Sequence, residues 1–145
     1  MTTDITITAA AIATLISALT SACMTLWITG TNKKKNLDDQ LDAIIKIAIQ
    51  YPYLESEAFS IGWKPDFDKD DEKYLRYDAY CNLLFNFLSR VAGHYKYNTS
   101  KIENYIAIKD WVRLHGNFWK NPTSAYENVD SYDKKFVELM NSYLK

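Results

Sequence analysis

Residues Ile5 to Thr29 form an uncharged run of 25 residues, ITITAAAIATLISALTSACMTLWIT, followed by Gly30 and the triplet Lys33, Lys34 and Lys35. No other stretch constrains the chain as strongly. A bilayer core is about 30 Å thick and a helix rises about 1.5 Å per residue, so roughly 20 apolar residues span it. In lipid a lone segment must satisfy its own backbone, which a helix does. The run is therefore expected to be a transmembrane helix, with Trp27 at headgroup level and the lysines on the cytoplasmic side. A cleaved signal peptide would carry positive charge ahead of a shorter apolar core, and only Asp4 precedes this one. A lipidated Cys23 fails on the same ground, and a buried core helix is rarely uncharged over such a length.

At about 100° per residue, Ala10, Thr14, Ser17, Ala18, Ser21 and Thr25 fall on one stripe, and Ile5, Ile12, Ile16, Leu19, Cys23 and Leu26 fall opposite. Small and hydroxylic residues at this spacing let membrane helices approach closely, so the segment is expected to pack against copies of itself or another helix. A polar path lined by the hydroxyls is a stronger version of the same expectation. The plain alternative is that Ser and Thr bond back to their own helix carbonyls.

The remaining length allows one small helical domain, giving an organisation of residues 1–32 as anchor and 33–145 as cytosolic domain. All 17 Lys and Arg and 17 of the 18 acids lie after residue 32. This part is near neutral, so it has no global field for duplex nucleic acid. Cys23 and Cys81 make neither a disulfide framework nor a metal spacing. With only four Gly and three Pro, helices with short connections are favoured.

In chain order, Asn36 can cap a helix with Asp38 and Asp39 in its first turn, carrying Leu37, Leu41, Ile44, Ile45 and Ala48. Pro52 ends it, and Tyr53 to Phe59 suits a further short helix. Gly62 to Glu72 is a connection. Its Asp66, Asp68 and Asp70 start like a calcium loop, but Asp71 and Tyr77 stand where that loop needs Gly and Glu, so a solvated acidic loop is expected. Lys73 to about Tyr95 repeats Tyr77, Cys81, Leu84, Leu88 and Val91 at helical spacing. Ser100 with Glu103 reads as a capping box, opening a helix that runs to about Trp119. Asp130 or Ser131 would cap a last helix that buries Tyr132, Phe136, Leu139, Met140 and Tyr143.

Catalysis is hard to assemble. His94 and His115 lie in no zinc spacing, and no nucleophile-elbow, zinc-protease or Gly-rich phosphate motif occurs. Both histidines are expected to be polar helix-end residues, and no enzyme, metal or cofactor is expected. Binding is easier to assemble. Lys101, Tyr105, Lys109 and Arg113 stand four apart and would share one helix ridge, with Lys120 near its end. Arg90, His94 and Lys96 end the preceding helix and, in a hairpin, would meet near its turn close to Lys101. Arg offers a planar fork to phosphate, Lys a point charge, and rings beside cations suit stacked bases. The candidate ligand residues are thus Arg90, His94, Lys101, Lys109 and Arg113 for phosphate and Tyr105 for stacking or packing. A solvated basic stripe with core aromatics is the alternative.

The stretches YDAYCNLLFNFLSRVAGHY (Tyr77 to Tyr95) and YIAIKDWVRLHGNFWKNP (Tyr105 to Pro122), behind one anchor and a lysine triplet, resemble the small membrane-anchored effectors of type III CRISPR defence. The resemblance covers the whole chain and implies a homo-oligomer that binds cyclic tetra-adenylate in the cytoplasm and disturbs the inner membrane. Together these readings give an all-α chain: one N-terminal transmembrane helix, N-terminus outside, and a bundle of about four cytosolic helices. The expected function is an oligomeric antiviral membrane effector gated by a cyclic oligoadenylate. Two others stay open: a membrane-tethered helical adaptor for a protein partner, and a toxin-like anchor with a regulatory domain.

Overall fold

The computed structural model describes residues 2–67, 70–123 and 130–145, with the side chains of 2–13, 15 and 16 left aside. The described residues are helical and contain no strand. In order they form α1 (Thr2–Gln50), a 3-10 turn (Pro52–Glu55), α2 (Glu57–Ile61), α3 (Glu72–His94), α4 (Thr99–Tyr105), α5 (Ile108–Leu114), α6 (Gly116–Lys120) and α7 (Lys134–Tyr143). They divide into two compact units, one up to Asp39 and one from Gln40 to Lys145.

In the first unit the expected transmembrane helix is corrected. Among the described residues no helix is long and apolar enough to cross a membrane. Ser17, Thr20, Ser21, Thr25 and Thr29 are interspersed through the described side chains, which then meet Gly30, Asn32 and the lysines. Spanning takes about 20 predominantly apolar residues. Two hydroxyls bond back to their own helix, Thr25 Oγ1 to the Ser21 carbonyl at 2.9 Å and Thr31 Oγ1 to that of Trp27 at 3.0 Å. This is the plain alternative for the hydroxylic residues. Ala10, Ile5, Ile12 and Ile16 of the two expected stripes lie outside the described side chains. Asn36 starts no helix, because α1 continues to Gln50.

The second unit is built on α3. Asp71 caps it, its carboxylate accepting from the backbone N–H of Lys73 at 2.9 Å and of Tyr74 at 3.4 Å. The helical repeat then buries Tyr77, Tyr80, Cys81, Leu84, Phe85, Phe87, Leu88, Val91 and Ala92. Two faces of α3 are thus covered, and Ile44, Leu54, Ile102, Ile108, Val112, Phe118, Phe136 and Met140 complete the core. The connection after α2 is held to α6. The Trp63 indole donates to the Asn121 carbonyl at 2.7 Å, and the Asn117 amide donates to the carbonyls of Ile61 at 3.1 Å and Trp63 at 2.9 Å. Asp68 of the alternating aspartates lies outside the described residues, as do residues 124–129 of the later loop.

The long helix expected after the α3 turn is instead three short ones. Lys96 and Tyr97 take left-handed backbone, φ 52° and 60°, and Asn98 rather than Ser100 caps α4, accepting from the Lys101 N–H at 3.0 Å. At Ile106 the backbone is extended, φ −143° and ψ 156°. The break has a packing cause. At about 100° per residue, Ile102 and Ile106 would fall on one side of a continuous helix and Ile108, Val112, His115 and Trp119 on another. Interrupting the helix lets both sets be buried, as all six are. The last helix is capped by Asp133, whose side chain accepts from the Lys135 N–H at 2.8 Å. Asp130 and Ser131 do not cap it.

Candidate functional site

The break at Ile106 dissolves the expected ridge, since Lys101 and Tyr105 sit on α4 while Lys109 and Arg113 sit on α5. Arg90 donates to Gln40 Oε1 at 2.7 Å. His94 meets the Tyr95 ring edge-on at 4.8 Å between centroids, and Tyr95 in turn lies 5.5 Å from Tyr105. His94 and Tyr105 therefore share a neighbour, Tyr95, at the α3–α4 turn. Lys109 pairs with Glu103 at 2.9 Å and stands 6.0 Å above the Tyr143 ring. Its ammonium, with the Tyr143 hydroxyl, holds the Glu103 carboxyl below the usual value.

Arg113 does reach a shared site. It lines an open cleft of about 500 Å³ together with Lys120 and Lys145, and with Ile61, Leu114, Gly116, Tyr143 and Leu144. The three cations come from α5, from α6 and from the residues after α7. Each is exposed, and among the described residues none is ion-paired. Gly116 sits at the wall because Leu144 crosses it closely. A Cβ there would lie 2.7 Å from Leu144 Cδ2. Asn117 also lines the cleft, but its amide is occupied by the Ile61 and Trp63 carbonyls. The Tyr143 hydroxyl is turned to Glu103, 3.2 Å away, and burial with this carboxylate pushes its pKa up to about 12. Arg113 also borders a smaller cleft of about 300 Å³ that contains Glu57 and Asp110. Lys145 carried no signal in the sequence, and Lys120 only its nearness to the ridge.

A second polar group lies in the core. His115, expected at a polar helix end, is fully buried. Its Nδ1 is 3.0 Å from the Tyr77 hydroxyl and 3.8 Å from Cys81 Sγ, and its Nε2 is 3.3 Å from Glu55 Oε1. The Tyr80 hydroxyl donates to the same Glu55 oxygen. Burial opposes ionisation of Glu55, but hydrogen bonds from His115 and Tyr80 outweigh it and hold the carboxyl below its usual value. Burial drives Tyr77 and Tyr80 the other way, toward the neutral phenol. Thiol, imidazole and carboxylate in this order suit a nucleophilic catalyst. Cys81, however, is sealed, and burial pushes its thiol well up. A thiolate, the reactive form, is thereby disfavoured, so the cluster reads as a satisfied core network.

No protein-family model, curated protein or solved structure matches the chain.

Proposed function

We propose that the helical domain is a binding module for a phosphorylated ligand, held by Arg113, Lys120 and Lys145. The supporting observation is the convergence of three cations without ion pairs on one cleft, from three separate elements. Exposed cations outside ion pairs keep their charge for a ligand, and Arg adds a planar fork for two phosphate oxygens. The cleft is within the roughly 300–1,000 Å³ that small-molecule sites occupy, and Tyr143 supplies an aromatic wall. Cyclic tetra-adenylate, implied by the resemblance, is one ligand of this class. A ring of repeated phosphates would engage one cleft in each copy of a symmetric oligomer.

Calorimetric titration of the full chain with inorganic phosphate, linear adenylate and cyclic tetra-adenylate tests this. Saturable binding of at least one, lost in an Arg113→Gln/Lys120→Gln variant, is the expected result. No binding by any of the three overturns the reading.

A second reading, a helical adaptor for a protein partner, draws on a different observation. Leu19, Met24, Leu26, Trp27 and Ile28 are all at least half exposed on α1, and large apolar side chains exposed along one segment offer surface to a partner. A partner captured by the full chain and released by Leu26→Ser/Trp27→Ser would favour it.

A further inference from the structure

We infer that a groove bordered by the last turns of α1, the 3-10 turn and α5 is a binding site for a small organic cation with an apolar body. The groove holds about 480 Å³ and is lined by Ile45, Ala48, Ile49, Pro52, Glu55 and Trp111. Five of these six side chains are apolar or aromatic, and Glu55 is the single ionisable one. Ile45 and Ile49, one turn apart on α1, are 42% and 73% exposed, so they present apolar surface that no described residue covers.

Charge decides what fits. The inner side of Glu55 is fixed from the core, where Tyr80 and His115 both bind Oε1. A carboxylate has about four acceptor sites, so capacity remains beyond the bonds from Tyr80, His115 and the Trp111 indole N–H. No Lys or Arg pairs with Glu55 among the described residues. Its one charged neighbour is His115, a cation only when protonated. A part-buried carboxylate in the wall of an apolar groove, held in place and with no Lys or Arg partner among the described residues, selects for positive charge, because desolvated charge is costly unless paired. Trp111 adds a ring of the type that attracts ammonium groups most strongly. The walls then require an alkyl or aryl body behind the charge, and an anion or a neutral polar ligand gains nothing here. This site shares no residue with the cleft of Arg113, Lys120 and Lys145, and stands whether or not that cleft binds phosphate.

The test uses the full chain and three probes of one shape: 2-phenylethylammonium, 2-phenylethanol and phenylacetate, followed by NMR titration. Saturable binding of the ammonium is expected, with the alcohol about tenfold weaker or worse and phenylacetate not binding. Glu55→Gln should abolish the preference for the cation. Because that change also touches the core network, Ala48→Trp serves as a second variant. It fills the groove from an exposed helix, and should remove binding while leaving the melting temperature near wild type. Equal binding of ammonium and alcohol, ammonium binding that survives both variants, or absence of saturation would overturn the assignment. So would a self-association that Ala48→Trp breaks, since the groove would then belong to a second copy.

Discussion

His115 Nδ1 lies 3.0 Å from the hydroxyl of Tyr77, a residue 38 positions earlier in the chain. The contact ties α3 to the junction of α5 and α6, and it sits where neither group can reach water. With Nε2–H directed at Glu55, Nδ1 is an acceptor and the Tyr77 hydroxyl a donor, so each polar atom of the ring has a partner. Removing one side of such a pair leaves the other buried and unsatisfied, at about 1–3 kcal/mol. Tyr77→Phe is therefore expected to lower unfolding free energy by about that amount in urea titrations. Coupling to His115→Phe in a double-mutant cycle should be about 1 kcal/mol. Strictly additive effects would mean that the two side chains do not bond.

Acid should weaken the fold through Glu55. Its folded carboxyl titrates below the ordinary value of 4.5. The stabilisation it contributes is thus complete above 4.5 and is lost as pH falls through the lower, folded value. Glu103 has the same sign, and being exposed it contributes less after solvent screening. Urea midpoints of wild type and Glu55→Gln should differ near neutral pH and converge as pH falls below 4.5. A constant difference across that range would contradict the assignment.

Alkali should act through the phenols. Tyr77 and Tyr80 are pushed up by burial, and Tyr143 reaches about 12. A raised phenol stabilises the fold fully below its unfolded value of about 10, and this is lost as pH rises through the folded value. Tyrosinate absorbance should therefore show a late-ionising group of tyrosines whose appearance coincides with loss of helical circular dichroism. Titration of every tyrosine near 10 with the fold intact would refute this.

Gly116→Ala separates stability from cleft shape. The new Cβ would lie 2.7 Å from Leu144 Cδ2, the movable end of a side chain. That strain is opposed by the gain of about 0.4–1 kcal/mol from restricting the unfolded chain when Gly is replaced by Ala at a backbone Ala can adopt. Unfolding free energy is expected to stay within about 0.5 kcal/mol of wild type, while Leu144 shifts in the cleft. Phosphate affinity, where wild type binds, should then change without a matching change in melting temperature. A loss of several degrees would show that Leu144 cannot move.

Local pattern made α3 legible: the repeat through Tyr77, Cys81, Leu84, Leu88 and Val91 placed a helix over Lys73 to Tyr95, and Glu72–His94 is observed. The burial of Phe136 and Met140 on the last helix came through for the same reason. His115 was not legible, because its partners Tyr77 and Glu55 are set by tertiary packing that spacing along the chain does not encode. The crossing was expected from the whole run Ile5 to Thr29, whereas among the described residues no helix is long and apolar enough for it. Of the six expected ligand residues, four depended on one helix lasting from α4 into α5, and that continuity is what the fold denies. Arg113 reaches a cationic cleft with Lys120, a neighbour in space brought in by α6 rather than by the ridge.

The same break yields the sharpest discrimination. Ala107 has φ −74° and ψ 55°, and the Ile108 N–H reaches the Ile106 carbonyl at 2.8 Å, an inverse γ-turn. Proline requires a φ near −65°, and prefers an extended residue before it, as Ile106 is. Ala107 is exposed, and its N–H makes none of the backbone bonds found around the turn. Ala107→Pro should thus stabilise the chain by about 0.4–1 kcal/mol, by restricting the unfolded state. A helix continuous from Ser100 to Trp119 would instead lose about 3 kcal/mol to an interior proline. Thermal unfolding of this one variant decides between the two: a raised melting temperature accords with the kinked arrangement, and a collapse of several degrees would restore the straight helix and the four-residue ridge it carries.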